Sequence, residues 1–241
     1  MAQGKRLVWD QTGERVYETG TKMGVLFVQD ETGAYPKGVA WNGLRSVTES
    51  PSGAEATALY ANDSKYLELY SNEEFGCTIS AYTYPDEFAE CDGTKEVVAD
   101  SGVFVGQQAR KAFGLSYRTV LGNDTKGEDY GYKLHLVYGA KASPSEKGYS
   151  TINDSPEVIE FSWECTTTPV NVEGFKPTSH LEIDSTKVKP DKLKKIEDIL
   201  YGTNASGSEG TATESRLPMP EEIISILKTA CLLYTSPSPR D

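Results

Sequence analysis

The sequence predicts a mainly β protein: a β-sandwich or barrel-like body with a short flanking helix and a C-terminal helix-linker-helix tail. Three observations predict it. Glycine (22) and tyrosine (14) are abundant among 241 residues, short runs alternate apolar and polar side chains, and clusters of Gly, Pro, Asn and Asp separate those runs. A chain of this length buries one sizeable core, and nothing forces a second. The expected division is a β body over residues 1–188, a helix-linker-helix extension over 189–229, and a non-native end over 230–241.

Residues 1–22 carry Trp9 and Tyr17 among polar neighbours and are expected as a first hairpin or arm. KMGVLFVQD follows, apolar on both faces (Val25 and Phe27, then Leu26 and Val28), which suits a central strand covered on both sides. After the turn ETGAYPKG, residues 39–48 place Val39, Trp41 and Val47 on one face and Asn42, Ser46 and Thr48 on the other, so a single half-buried strand is expected. SPSGAEA then breaks the pattern with Pro51 and Gly53. Too little apolar surface follows to fix it, and an open loop is expected.

Strands resume at 66–70 and at 75–83, where Phe75, Cys77, Ile79 and Ala81 share a face. Pro85, with Asp86 and Glu87 behind it, opens a short helix that Gly93 stops. GTKEVVADSGVFVGQQ is a connection with one short strand. Phe113, Leu115, Tyr117 and Leu121 then line one face of the next strand, with Arg118 on the other. NDTKGEDYG is a polar turn; it lacks the ligand alternation and closing Glu of a calcium loop. Leu134, Leu136 and Tyr138 share a face beyond it. After the polar stretch SPSEKGYSTINDSPE, the residues Ile159, Phe161, Trp163 and Cys165 alternate with polar ones.

From Pro169 the texture changes. LEIDSTKV reads as a last strand, and PDKLKKIEDILYG as a helix with Pro190 at its start, Leu193, Ile196, Ile199 and Leu200 on one face, and Gly202 as its stop. TNASGSEGTATES is a linker, and PMPEEIISILK a short amphipathic helix that needs a surface to dock on. The terminal string CLLYTSPSPRD resembles a translated sequencing-adapter read-through and is expected to lie outside the fold.

The formal net charge of −12 argues against a surface that grips nucleic acid, because neutralising phosphates needs clustered Lys and Arg. No apolar run is long enough for a bilayer, and the first residues lack the apolar stretch of a signal peptide, so a soluble product is expected. Cys77, Cys91, Cys165 and Cys231 form no CxxC pair and are expected reduced, with Cys77 and Cys165 buried. His135 and His180 lie far from any nucleophile motif and read as structural. The acidic doublets Asp30/Glu31, Glu73/Glu74 and Glu221/Glu222 read as solvated turn charges. No catalytic residue, cofactor site or metal site is expected, and the reading is not that of an enzyme.

An ordered series of segments carries a family likeness: Trp41-Asn42-Gly43-Leu44, VTESPSGAEATALYAND, GCTISAYTYPDEFAECDG, FVGQQARKAFGLSYRT, KLHLVYGAKASPSEKGYSTINDSP, EFSWECTTTPV and RLPMPEEI. Together they resemble the major tail (tail tube) protein of long-tailed phages and prophages of Gram-positive bacteria. That resemblance implies a β-sandwich with a flanking helix, assembly into hexameric rings, and rings stacked into the tube through which the genome leaves. It implies location in the virion tail after synthesis in the host cytoplasm. Its partners would be copies of itself, tape-measure proteins and tail-tip or terminator proteins, with double-stranded DNA passing through unbound. A long loop that orders on assembly would correspond to residues 47–65. Its inter-ring contact would fall on Ser50, Pro51, Ser52, Gly53, Ala54, Glu55 and Ala56, and Glu49, Glu55, Asp63 and Glu68 would supply negative charge near the lumen or ring seam. The rival from another class is a carbohydrate-binding or adhesion β-sandwich, in which Tyr and Trp faces would stack on sugars.

Overall fold

The computed structural model describes residues 6–99, 101–152, 154, 158–205 and 211–229. In chain order the first strands are β1 (Val16–Val28), β2 (Gly38–Ala40), β3 (Leu44–Glu49), β4 (Ser52–Gly53), β5 (Ala56–Ala61), β6 (Ser64–Tyr70), β7 (Glu73–Glu74) and β8 (Gly76–Ala81). A 3-10 turn over Asp86–Glu90 separates them from β9 (Lys95–Glu96), β10 (Phe104–Val105), β11 (Phe113–Asn123), β12 (Gly127–Ala142), β13 (Phe161–Thr167) and β14 (His180–Asp184). The helices α1 (Pro190–Tyr201) and α2 (Pro220–Lys228) close the described chain. No helix among the described residues is long and apolar enough to cross a membrane. The expected adapter-like end, 230–241, lies outside the described residues, as do 1–5 of the expected first arm.

Eight strands form one antiparallel sheet in the order β2-β1-β11-β12-β13-β8-β3, with β14 paired to β12 beside this path. Its two end strands, β2 and β3, are consecutive in the chain, so the sheet has to curl back on itself. Trp41 N–H donates to Gly24 O (2.8 Å), continuing the β1–β2 ladder, and Tyr82 N–H to Gly43 O (2.9 Å), continuing the β3–β8 ladder, so the two ladders run into one turn. A Cβ on Gly24 would meet Leu44 Cδ2 at 2.5 Å, so β1 and β3 approach as closely as they do because position 24 has no side chain. Residues 39–48 are therefore two strands rather than the single one expected. Asn42-Gly43, with Gly43 at φ +77°, turns the chain between them.

The alternation called from sequence holds in the body. Leu26, Ile79, Phe113, Leu115, Val137, Trp163 and Cys165 point to the inside of the curled sheet, together with Phe88 and Cys91 from the 3-10 turn. Trp163 is the centre of that core: Trp41, Tyr84, Phe88 and Phe161 all pack on its ring within 6.0 Å of its centroid. Val25, Phe27, Leu134, Leu136, Tyr138 and Ile183 face the other way, into a second core with Leu193, Ile196, Leu200, Leu217 and Ile223. Thus the Val25–Val28 end of β1 is covered on both faces, as its unbroken apolar run requires, while Val16, Tyr17 and Met23 are exposed. The three described cysteines are free and buried.

The C-terminal extension is laid along the sheet. Ser215 O accepts from Gly38 N–H (2.8 Å) and Tyr35 O from Leu217 N–H (3.2 Å). Tyr138 O–H donates to Pro218 O within the second core (2.9 Å). The surface that α2 needs for docking is therefore its own sheet and α1. Residues 6–15, by contrast, form no strand and leave Leu7, Val8 and Trp9 exposed.

Candidate functional site

A two-stranded ribbon, exposed along its length, continues from β3 and β8 beyond this core. β3 and β8 pair within the body, and the same two chain directions run on as β4 with β7 and then β5 with β6. Asn62 and Asp63, at φ 52° and 60°, make the apex, the left-handed pair of a tight hairpin turn. Residues 50–74 are exposed throughout, Ala58 alone being half-buried. Opposite residues of an antiparallel pair point the same way, so Leu59, Leu67 and Leu69 share one face with Thr57. Tyr60 and Tyr70 share the other with Tyr66 and Glu68, and all six large side chains are exposed.

The expected open loop at Ser50–Ala56 needs correcting. Ser52 and Gly53 pair with Glu74 and Glu73, and Ala56 sits opposite Tyr70. Ser50 N–H donates to Gly76 O (2.8 Å), Ser71 N–H to Glu55 O (3.1 Å) and Glu55 N–H to Ser71 Oγ (3.0 Å). Backbone pairing holds this segment where apolar contacts do not, because its partner strand was at hand in the same hairpin. These residues form the ribbon's root, and the free tip lies farther out at Asn62-Asp63.

The four acidic candidates are not brought together. Glu55 and Asp63 are exposed at the ribbon's root and apex. Glu68 is paired with Lys65 and accepts from Tyr70 O–H. Glu49 turns inward instead, accepting from Tyr117 O–H at 2.8 Å.

That contact opens onto a cluster that sequence reading missed. Glu49 ends β3 where the ribbon leaves the body, and two histidines from the opposite wall reach it. The register pairs Tyr117 with His135 and Val137 with His180, so all four side chains lie on the interior side of β11, β12 and β14. His135 Nδ1 lies 3.2 Å from His180 Nε2 and 3.5 Å from Glu49 Oε1, and His180 Nε2 lies 3.6 Å from Glu49 Oε1. Tyr117 stacks on His135 (4.6 Å, 2°) and Phe75 on His180 (4.8 Å, 12°). Burial lowers the pKa of both imidazoles, which keeps them neutral near pH 7. Burial, and then the bond to Glu49, push the Tyr117 hydroxyl up.

The acidic doublets are occupied elsewhere. Asp30 accepts from Thr32 and Ala34 within its own turn, Glu222 is bidentate with Arg216, and Glu73-Glu74 forms β7. A surface concavity lies along β1 and β2, and Lys22 and Tyr201 are its titratable lining residues.

Comparison with known proteins adds little. No protein family model matches the chain. No curated protein matches it. Among solved structures, a chain of the cryo-EM structure of the anti-feeding prophage baseplate, six-fold symmetrised, is similar at a TM-score of 0.35 and 8% identity, over 73% of this chain and 97% of that one. A likeness that slight carries no argument.

Proposed function

We propose that this protein is a structural subunit of a phage-type particle: a tail tube protein whose copies associate into stacked hexameric rings around a conduit for double-stranded DNA. One observation carries the most weight. A ribbon of some two dozen residues stands off the body with Leu59, Leu67 and Leu69 exposed on one face and Tyr60, Tyr66 and Tyr70 on the other. A two-stranded hairpin is marginal in water by itself, and an apolar patch of this kind marks a surface that another protein covers. The ordered motifs that resemble tail tube proteins supply the kind of partner: further copies of the same chain. The net charge of −12 suits a wall along which a duplex slides without being held. Glu55 and Asp63, exposed on the ribbon, are the acidic candidates that keep this role.

Burying each leucine contributes about 1.5–3 kcal/mol, so replacing all three removes several kcal/mol from every ribbon contact. The triple variant L59S/L67S/L69S is expected to remain folded by circular dichroism and to elute as a monomer at concentrations where the unaltered chain elutes as an oligomer. Equal elution of the two would refute the role of the ribbon.

The exposed tyrosines favour one second reading, a carbohydrate-binding module. It requires saccharide binding by the monomer that is lost in Y60A/Y70A, whereas the assembly reading requires none.

A further inference from the structure

We propose that Glu49, His135 and His180 form a binding site for a divalent transition-metal cation of the Zn2+ type, at the root of the ribbon. The first support is spacing. Zn–N and Zn–O bonds of about 2.0–2.1 Å place tetrahedral ligands roughly 3.3–3.4 Å apart, and the three candidate atoms lie 3.2, 3.5 and 3.6 Å apart. Two imidazoles and one carboxylate are also the donor set that cations of this class accept, with a further position left open.

The surrounding hydrogen bonds supply the second support. Thr119 O–H donates to Glu18, an acceptor-only carboxylate, so the same oxygen accepts from His135 Nε2–H at 3.0 Å. This chain fixes the His135 proton on Nε2 and leaves the Nδ1 lone pair toward Glu49 and His180. A ligating histidine held through its far nitrogen by a polar partner is the usual arrangement at protein metal sites. The stacked Tyr117 and Phe75 rings hold the two imidazole planes. Without an ion, His180 Nε2–H donates to His135 Nδ1 at 3.2 Å; with one, His180 carries its proton on Nδ1.

Access is also provided. His135 is buried, His180 half-buried and Glu49 exposed, so an ion enters from the Glu49 side and a water completes its coordination. The ion would tie the last residue of β3 to β12 and β14, fixing the ribbon's root to the opposite wall of the body. The site does not depend on the assembly reading.

The test uses the untagged full chain, stripped with chelator and titrated with ZnCl2 by calorimetry, with Co2+ absorption as a second probe. One Zn2+ per chain is expected, with a rise in Tm. E49Q and H180Q should each weaken uptake by at least about tenfold while keeping the far-ultraviolet spectrum of the unaltered chain. If either variant misfolds, Co2+ bound to the unaltered chain decides: a four-coordinate visible spectrum lacking a thiolate charge-transfer band supports the site. No uptake at millimolar Zn2+, uptake unchanged in both variants, or a thiolate band from a cysteine-held ion would overturn the proposal and leave the cluster as a hydrogen-bond network.

Discussion

Asp92 shows how much one side chain can hold. It is buried beside the inner core, accepts from Trp163 Nε1–H at 3.0 Å, pairs with Lys147, and lies 3.5 Å from Arg110. Removing the carboxylate strands an indole N–H and leaves two cations without their partner, so D92A should cost about 3 kcal/mol. D92N, which keeps an acceptor for Trp163, should cost less. Urea unfolding followed by tryptophan fluorescence checks both, and equal midpoints for D92A and the unaltered chain would contradict the account. None of this was legible in the sequence, where Asp92 is one acid in the string ECDGT. The histidine cluster was illegible for a similar reason: His135 and His180 lie 45 residues apart, and only the β12–β14 register makes them neighbours.

Elements were legible where one face was buried. β8 and β13 alternate without a break, and their residues point as the pattern requires. β6 was legible over 66–70 from its alternating leucines, but residues 50–56, broken by Pro51 and Gly53 and poor in apolar side chains, read as an open loop although their backbone pairs with the partner strand. At the other end of the chain, α2 was legible as an amphipathic helix, but the surface that receives it was not. Part of its anchoring is the Arg216–Glu222 pair, at 2.6 and 2.7 Å. The bond to Arg216 lowers the Glu222 pKa below its ordinary 4.5. A depressed carboxylate contributes stability that is complete above its unfolded pKa and lost as pH falls through its folded one. Protection of the α2 amides, relative to their intrinsic exchange rates, should therefore fall as pH drops below the ordinary glutamate range. Because both side chains are partly exposed, the effect should be modest. In E222Q the same amides should exchange faster at neutral pH and lose that acid dependence; an acid dependence that persisted in E222Q would assign it to another group.

At the scale of the whole molecule, the body is closed and the ribbon is not. Curling the sheet brings its end strands together, and the helices cover its second face, so the core is satisfied within one chain. The ribbon's apolar faces have no cover of their own. Composition and alternation were enough to indicate a β body with a C-terminal helical extension. The curl was hidden, since it depends on a three-residue turn that divides what reads as one strand. The central claim is that the ribbon joins copies of this chain into rings and tubes. Negative-stain microscopy tests it most directly, comparing the concentrated full chain with a variant in which residues 54–72 are replaced by a short Asn-Gly turn. Rings or tubes from the full chain and dispersed single particles from the variant are the predicted result. Single particles from the full chain at every concentration and salt, or tubes from the variant, would contradict it.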